Sequence, residues 1–535
     1  MRSEREPKGA EAERHFEDRH VADRHVGERN GAFEREGTQS EREIARLFAE
    51  VDRALEAEVD AVDHDRRGVL PRRLMDAVRE LGLFGAGIPT EYGGLGLDLL
   101  ETCRVVATLA RHDRSLATCV GLHNGLGATP LVSLGEEQHK RAWLPRLASG
   151  EVIAAFAATE AGAGSDLSSI GTSFDDALRL HGEKQYVTNG AIAGLVTVLA
   201  RARDKRGGYA LLTVPLPQEH VSIGAEEHKL GLRASSTTSV AFDGARASAC
   251  LGVPGSGLHH AYAALAVGRT VLSAGCVGTA QRALDATLDH VTRRRQFRRR
   301  IGEFGASRAH VSAMAARLFA MEAVVDDVAR HPGGALATAS VVAKVFCSEG
   351  AYEITDRAQQ LHGAMGVLED VGVALLTRDC RVTRIFEGAN DVLLVHLGSD
   401  VLARGPSPRR HERGTGSLAQ RWETAAGVLE ASRDRVRTSL GMHAVERQDC
   451  LQALARAYVG LVAASCVLAR AEAEPELAEL ACAMGIDEAL TQLASLHRAE
   501  SRTELERVLT DDLYACGRRW GWPSAAPTPR KPFAA

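Results

Sequence analysis

From Glu43 onward the apolar residues fall at helical spacing. Ile44, Leu47, Phe48, Val51, Leu55, Val59 and Val62 recur every three or four positions, which places them on one face of an amphipathic helix. A second such segment runs from Pro71 to Leu83. The turn-rich GIPTEYGGLGLD (87–98) interrupts the pattern, and helices resume over about 99–147. Between about Val152 and Gly257 the period changes. The β-prone runs IAAFAAT, LRLHG, KQYVT, LVTVLA, YALLTV and TSVAFDG alternate with Gly, Asp, Asn and Pro turns, the signature of an antiparallel β domain. Helical spacing returns from His259 to about Arg404, as in Val271, Ala274, Val277, Leu284, Leu288 and Val291.

The pattern predicts an α+β chain, mostly α, in six parts. They are a polar tail over 1–41, a helical domain over 42–151, a β domain over 152–257, a second helical domain over 258–404, a linker over 405–416 (GPSPRRHERGTG) and a helical extension over 417–535 with a Pro-rich end. The tail mixes Arg, Glu, Asp and His with almost no large apolar side chains, too few to offset the entropy of ordering it. Its His15, His20 and His25 read as part of a solvated tail more readily than as metal ligands.

Composition then narrows the function. With 535 residues, 45% hydrophobic, 25% charged and a net charge of −5, the chain reads as a soluble globular protein. That balance argues against a nucleic-acid binder, since phosphate contacts need a basic face. No apolar run approaches the 18 residues of a spanning helix, and the acid-rich start resembles neither a signal nor a transit peptide. The ten cysteines include no CxxC pair. That usage fits a reduced, cytoplasmic protein with no zinc site.

Five segments could carry chemistry, each with a plainer alternative. TEAGAGSD (159–166) ends an apolar strand in hydroxyls and small residues that let backbone N–H groups approach a flat or anionic ligand; it also suits a mere turn. In GEKQYVTNG, Tyr186 and Thr188 share a strand face, apt for stacking and bonding to a heteroaromatic ring, or for ordinary packing. The basic run RRRQFRRRI (293–301) is a solvated face or a place where guanidiniums grip a pyrophosphate. QQLHGAMG (359–366) again offers small residues against which a ligand could lie. In RIFEGAND, Glu387 is a surface charge or a base held at a bend.

Taken in order, PTEYGGLG, LPRLASGE, TEAGAGSD, GEKQYVTNG, KLGLRASST, RRQF, QLHGAMG and IFEGAND resemble the acyl-CoA dehydrogenase family over about residues 43–404. FEGAND and the extension resemble its very-long-chain branch. The resemblance implies an N-terminal helical domain, a small β-barrel, a C-terminal four-helix bundle and FAD bound in a cleft between barrel and bundle. It places Phe156, Ala158, Thr159, Gly164 and Ser165 along the flavin, with Tyr186 and Thr188 flanking its ring. Arg294 and Gln296 would bind FAD across a dimer interface, and Gln360, Leu361, His362, Gly363 and Ala364 would cradle its adenosine part. Asn390 and Asp391 would contact the flavin.

Glu387 matches the family's catalytic base, which removes the α-proton of an acyl thioester as hydride leaves Cβ for flavin N5. Ser165, Arg269, Glu387 and Gly388 would bind substrate. The implied partners are an acyl-CoA or acyl-carrier-protein thioester, an electron-transfer flavoprotein, and a second copy in a homodimer or dimer of dimers, without nucleic acid or membrane docking. Several positions depart from the family pattern: Ala266, Ala364, Arg298, Ala389 and Ala161. The alternatives they leave open are an oxidase or oxygenase on the same fold, as in specialised metabolism, and a non-catalytic assembly role.

Overall fold

The computed structural model describes residues 39–204, 208–333, 336–405 and 417–496. The expected tail up to residue 38, the linker from 406 and the Pro-rich end lie outside the described residues. Contacts divide the chain into residues 1–54 and 55–535. The first unit is described only through the helix Gln39–Glu58; the rest of the description concerns the second.

The apolar stripe expected to run on to Val62 is broken. The helix ends at Glu58, and Asp60 starts another, Ala61–Arg67, by accepting a hydrogen bond from Asp63 N at 3.0 Å. An N-cap side chain satisfies a donor that a continuous helix would have used internally. The next helix, Arg72–Glu80, stops before Gly82, whose φ of +70° favours glycine. Helix Leu99–His112 begins in a reciprocal capping box: Asp98 Oδ1 accepts from Glu101 N and Glu101 Oε2 accepts from Asp98 N, both at 2.8 Å. Asp113 caps helix Arg114–Leu122 through Ser115 N at 2.7 Å and Leu116 N at 3.1 Å.

Eight strands follow: β1 Ile153–Ala157, β2 Ser173–Phe174, β3 Arg179–Thr188, β4 Ala193–Ala202, β5 Tyr209–Pro215, β6 Val221–Ile223, β7 Thr237–Arg246 and β8 Ala249–Gly255. They pair in the order β6-β7-β3-β2-β4-β5-β8, with β1 also on β4. Most pairs are antiparallel as expected, but β1 and β2 both run parallel to β4. LRLHG and KQYVT, expected as separate strands, are one strand whose register slips between Lys184 and Val187. The sheet is covered on both sides. Ala154, Phe156, Leu195, Leu199 and Leu211 pack toward Leu126, Leu144 and Leu265, while Ala155, Val196, Val198, Leu212 and Val240 form a second core on the opposite face. Two buried faces explain why β1 and β4 read as continuous apolar runs.

The helix Gly257–Arg293 has 37 residues, about 55 Å at 1.5 Å per residue. It packs with Leu336–His362, Leu99–His112 and Gly305–Arg330, and Val373–Thr383 and Asn390–Arg404 complete this region. Its buried Thr270, Ser273, Thr279 and Thr287 donate to the carbonyls four residues earlier, so its polar side chains need no water. This helix and Gln448–Ala469 are long and apolar enough to cross a membrane, yet most of each is buried inside the protein.

Among the described residues the extension forms three helices, Ser417–Leu440, Gln448–Ala469 and Pro475–Leu496. They pack against the bundle of their own chain. Gly398 lies so close to Leu451 that a Cβ there would sit 2.1 Å from the Leu451 carbonyl. Arg317 of the bundle, itself buried, pairs with Glu353 at 3.2 Å and with Glu488 of the extension.

Candidate active site

After helix Val373–Thr383 the chain turns sharply. Asn390 N donates to Arg384 O at 3.0 Å, and Glu387 inside this turn has φ +55° while Gly388 has φ +101°. A left-handed glutamate is strained and persists where surrounding structure enforces it. Here the enforcement comes from cations. Arg269 Nε donates to the Glu387 carbonyl at 2.8 Å, and Lys344 Nζ donates to the Gly388 carbonyl at 2.7 Å.

The Glu387 side chain lies beside Gly268 and within the field of Arg269, Lys344 and Arg114. The residue as a whole is half-buried, yet its Oε2 is sealed from solvent and has no hydrogen-bond partner among the described residues. Burial pushes its pKa up to about 7, against the opposing charges of Arg269, Lys344 and Arg114. A carboxylate desolvated and left unpaired has a free lone pair and a basicity near neutrality. Gly268 makes room for it: a Cβ there would stand 3.0 Å from Oε2 and 2.8 Å from Leu126.

Leu126 belongs to a π-helical turn, His123–Ala128, which joins the base to the sheet. His123 Nδ1 accepts from Ala154 N of β1 at 3.0 Å. Burial pushes this histidine down to about 4, so it stays neutral and can accept. A π-turn inside otherwise α-helical chain often marks a functional site.

The first two sheet motifs come together. Gln185 N donates to Thr159 O at 2.8 Å, fastening KQYVT to TEAGAGSD. Ala158 and Thr159 are half-buried, Gly164 and Ser165 are exposed, and a Cβ on Gly162 or Gly164 would meet open space. Tyr186 stands at the register slip with φ +56° and an exposed ring, and Thr188 is half-buried beside it. Phe156, which the resemblance places along the flavin, lies in the core beneath the loop, 8% exposed.

The other two motifs also meet. Arg294 precedes a tight hairpin in which Arg295–Gln296 pairs with Arg299–Arg300. Phe297 and Arg298 form its turn at φ +49° and +65°, the positive-φ pair a two-residue hairpin needs. Gln296 is exposed. His290, just before the hairpin, stacks on His362 with centroids 4.3 Å apart, so RRQF and QLHGAMG share one corner. Gln360, Gly363 and Ala364 are exposed there, Leu361 is half-buried and His362 is buried; Gly363 has φ +60° with open space at its Cβ.

Two further residues are engaged within the chain. Asn390, expected against the flavin, is buried and turned inward: its Oδ1 accepts from Lys344 Nζ at 2.6 Å and its Nδ2 donates to Glu349 Oε1 at 2.7 Å. Asp391 next to it is exposed. Arg269, expected on substrate, is engaged with the base's own carbonyl. Four buried or half-buried groups were not singled out from the sequence. Arg114 fits opposite Gly275, where a Cβ would come within 1.7 Å of its Nη1. Lys344 stands behind the base. Lys184 donates to Ala158 O at 2.9 Å and to Glu160 Oε1 at 2.8 Å, and Glu160 also accepts from Gly171 N at 2.6 Å and Thr172 N at 2.9 Å. This pair anchors the TEAGAGSD loop. The only sequence signal for the two lysines is a single cation inside an otherwise apolar or strand-forming run.

Comparison with known proteins matches this arrangement. The model of the acyl-CoA dehydrogenase N-terminal domain matches residues 39–151, that of the middle domain 155–245 and that of the C-terminal domain 255–402. A mitochondrial very long-chain specific acyl-CoA dehydrogenase of Rattus norvegicus is 30% identical over 484 residues, covering 80% of this chain and 73% of the relative. The chain belongs to the acyl-CoA dehydrogenase family. A probable acyl-CoA dehydrogenase of Bacillus subtilis (strain 168) is 35% identical over 352 residues, 60% of this chain and 58% of that protein. The crystal structure of an acyl-CoA dehydrogenase complexed with FAD from Bacillus anthracis has a TM-score of 0.78 at 26% identity, covering 91% of this chain and 93% of that one. The chain spans little more than half the length of some curated relatives, 58% and 55%.

Members of this family are FAD-dependent oxidoreductases. The residues present fit that cofactor: open-faced glycines at 162, 164 and 363, an exposed aromatic ring at Tyr186, and exposed guanidiniums beside Gln296.

Proposed function

We propose that this protein is an FAD-dependent dehydrogenase that introduces an α,β double bond into an acyl thioester. The single observation that carries the reading is the Glu387 carboxylate, buried, unpaired at Oε2 and shifted to about 7. An α-proton beside a thioester is a weak acid, and a base near neutral basicity at the apolar end of a site is what its removal requires.

Bound FAD supplies the acceptor for the β-hydride. Ala158, Thr159, Gly164, Ser165, Tyr186 and Thr188 would hold its ring end, with Arg294, Gln296, Gln360, Leu361, Gly363 and Ala364 at its far end. The residues of the chain then do three things. Gly268 leaves room for the carboxylate, Arg269 fixes the base's backbone, and Glu387 takes the proton at a carboxylate oxygen. Arg269 and Lys344 keep that carboxylate ionisable despite its burial. The substrate is a CoA or carrier-protein thioester, the electron acceptor an electron-transfer flavoprotein, and the working form at least a homodimer. The reduced cytoplasmic setting expected from the cysteines is part of the same reading.

The test is anaerobic mixing of the FAD-loaded protein with a panel of acyl-CoA and acyl-carrier thioesters. Loss of the oxidised flavin absorbance with at least one thioester supports the reading, and no loss with any of them removes it. Oxygen consumption without an added acceptor would favour the oxidase alternative.

A further inference from the structure

Lys344 is completely buried in the middle of helix Leu336–His362, where a lysine gains nothing from packing. Removing an ammonium from water is costly unless it is fully hydrogen-bonded. Here it is spent on the turn that carries Glu387. We propose that Lys344 is the positioning residue for this base: its ammonium clamps the carbonyl of Gly388 to the side chain of Asn390 and so holds the left-handed Glu387–Gly388 turn from behind.

The geometry forms a closed circuit. Lys344 Nζ reaches Gly388 O at 2.7 Å and Asn390 Oδ1 at 2.6 Å. Asn390 Nδ2 donates to Ser348 Oγ at 3.0 Å and Glu349 Oε1 at 2.7 Å. Glu349 Oε2 forms an ion pair with Arg384 Nε at 2.8 Å, three residues before the base. Lys344 and Ser348 stand four apart on one face of one helix, and Glu349 follows Ser348 on the same helix. Both shoulders of Glu387 are thereby tied to a single rigid element, as a base held to sub-ångström tolerance requires.

The clamp also carries charge. Lys344 faces Glu387, Cys276, Arg269 and Glu349, and its cation favours the ionised base. Burial lowers its own pKa to about 8, so the pair titrates as a coupled unit. The base should gain its active, ionised form as pH rises through about 7 and lose cation support as pH rises through about 8.

This inference rests on Glu387 being the base, so the experiment uses the whole FAD-loaded chain in wild-type, E387Q, K344M and K344R forms. Each is mixed anaerobically with an acyl-CoA that reduces the wild type, and the flavin reduction rate is followed from about pH 6 to about pH 9. FAD content and unfolding temperature are measured alongside. K344M is expected to reduce at least about tenfold more slowly at saturating substrate, with half-saturation little changed and its acid midpoint about one unit higher. K344R, which keeps a cation that does not titrate, should recover part of the rate and lose the decline near pH 8. If K344M does not retain FAD, Asn390→Ser decides, because it cuts one arm of the clamp while leaving the ammonium on Gly388; an unchanged rate there overturns the proposal. K344M with the wild-type rate and pH midpoint also overturns it, while the base reading stands if E387Q is inactive. A wild type that no thioester reduces overturns both.

Discussion

At the scale of single residues, the site is set by one carboxylate and the small side chains that give it space. Because the Glu387 pKa is raised, its ionised form is populated only above about 7, so the flavin reduction rate should climb as pH rises through that value. The same shift has the opposite sign for stability. The protonated buried form favours folding, so this group's contribution is complete below about 4.5 and lost as pH rises to about 7. Gly268→Ala places a methyl group 3.0 Å from Oε2 and 2.8 Å from Leu126. It should slow reduction by about tenfold or more and lower the unfolding temperature, because crowding of buried Leu126 outweighs alanine's better helix propensity. Ala389 is the N-cap of helix Asn390–Arg404 and makes no side-chain cap bond. Ala389→Ser restores an acceptor there and should add about 1 kcal/mol of stability in a denaturant titration.

At the scale of elements, the loops matter more than the helices that frame them. The TEAGAGSD loop is anchored through Glu160 to the buried Lys184. Hydrogen bonds from Lys184 and Thr172 hold the Glu160 carboxyl below its usual range even though burial pushes the other way. Lys184→Met leaves that carboxylate without its cation, which should cost about 2 kcal/mol or more. It should release FAD, read as a rise in free-flavin fluorescence. This anchor was hard to see in the sequence because KQYVT shows one lysine at an ordinary strand position. Only the register slip between Lys184 and Val187 turns it inward while leaving Tyr186 exposed. The parallel pairing of β1 and β2 with β4 was equally hidden, since side-chain alternation reports which faces are buried and not strand direction. The break at Asp60, by contrast, is a cap that the residue type itself announces.

At the scale of the whole molecule, the order of helices, sheet and helices was legible because apolar period changes from 3.6 to 2 and back. The family was legible because eight motifs occur in sequence. What the motifs could not convey is which way each side chain turns. Phe156 lies in the core, Asn390 turns toward Lys344 and Glu349 and Arg269 toward the Glu387 carbonyl, because packing and hydrogen bonds decide orientation inside a protein. Arg114 and Lys344, which set the field around the base, fall in no motif. The extension is likewise integral to its own chain. Gly398→Ala drives a Cβ toward the Leu451 carbonyl at 2.1 Å and should lower stability by about 2 kcal/mol or more, seen as a lower unfolding temperature.

The most direct test of the account is the anaerobic flavin spectrum of wild type and Glu387→Gln during mixing with acyl thioesters. Bleaching in the wild type, with full FAD content but no bleaching in Glu387→Gln, is the predicted result. Equal bleaching in both proteins would show that this carboxylate is not the base.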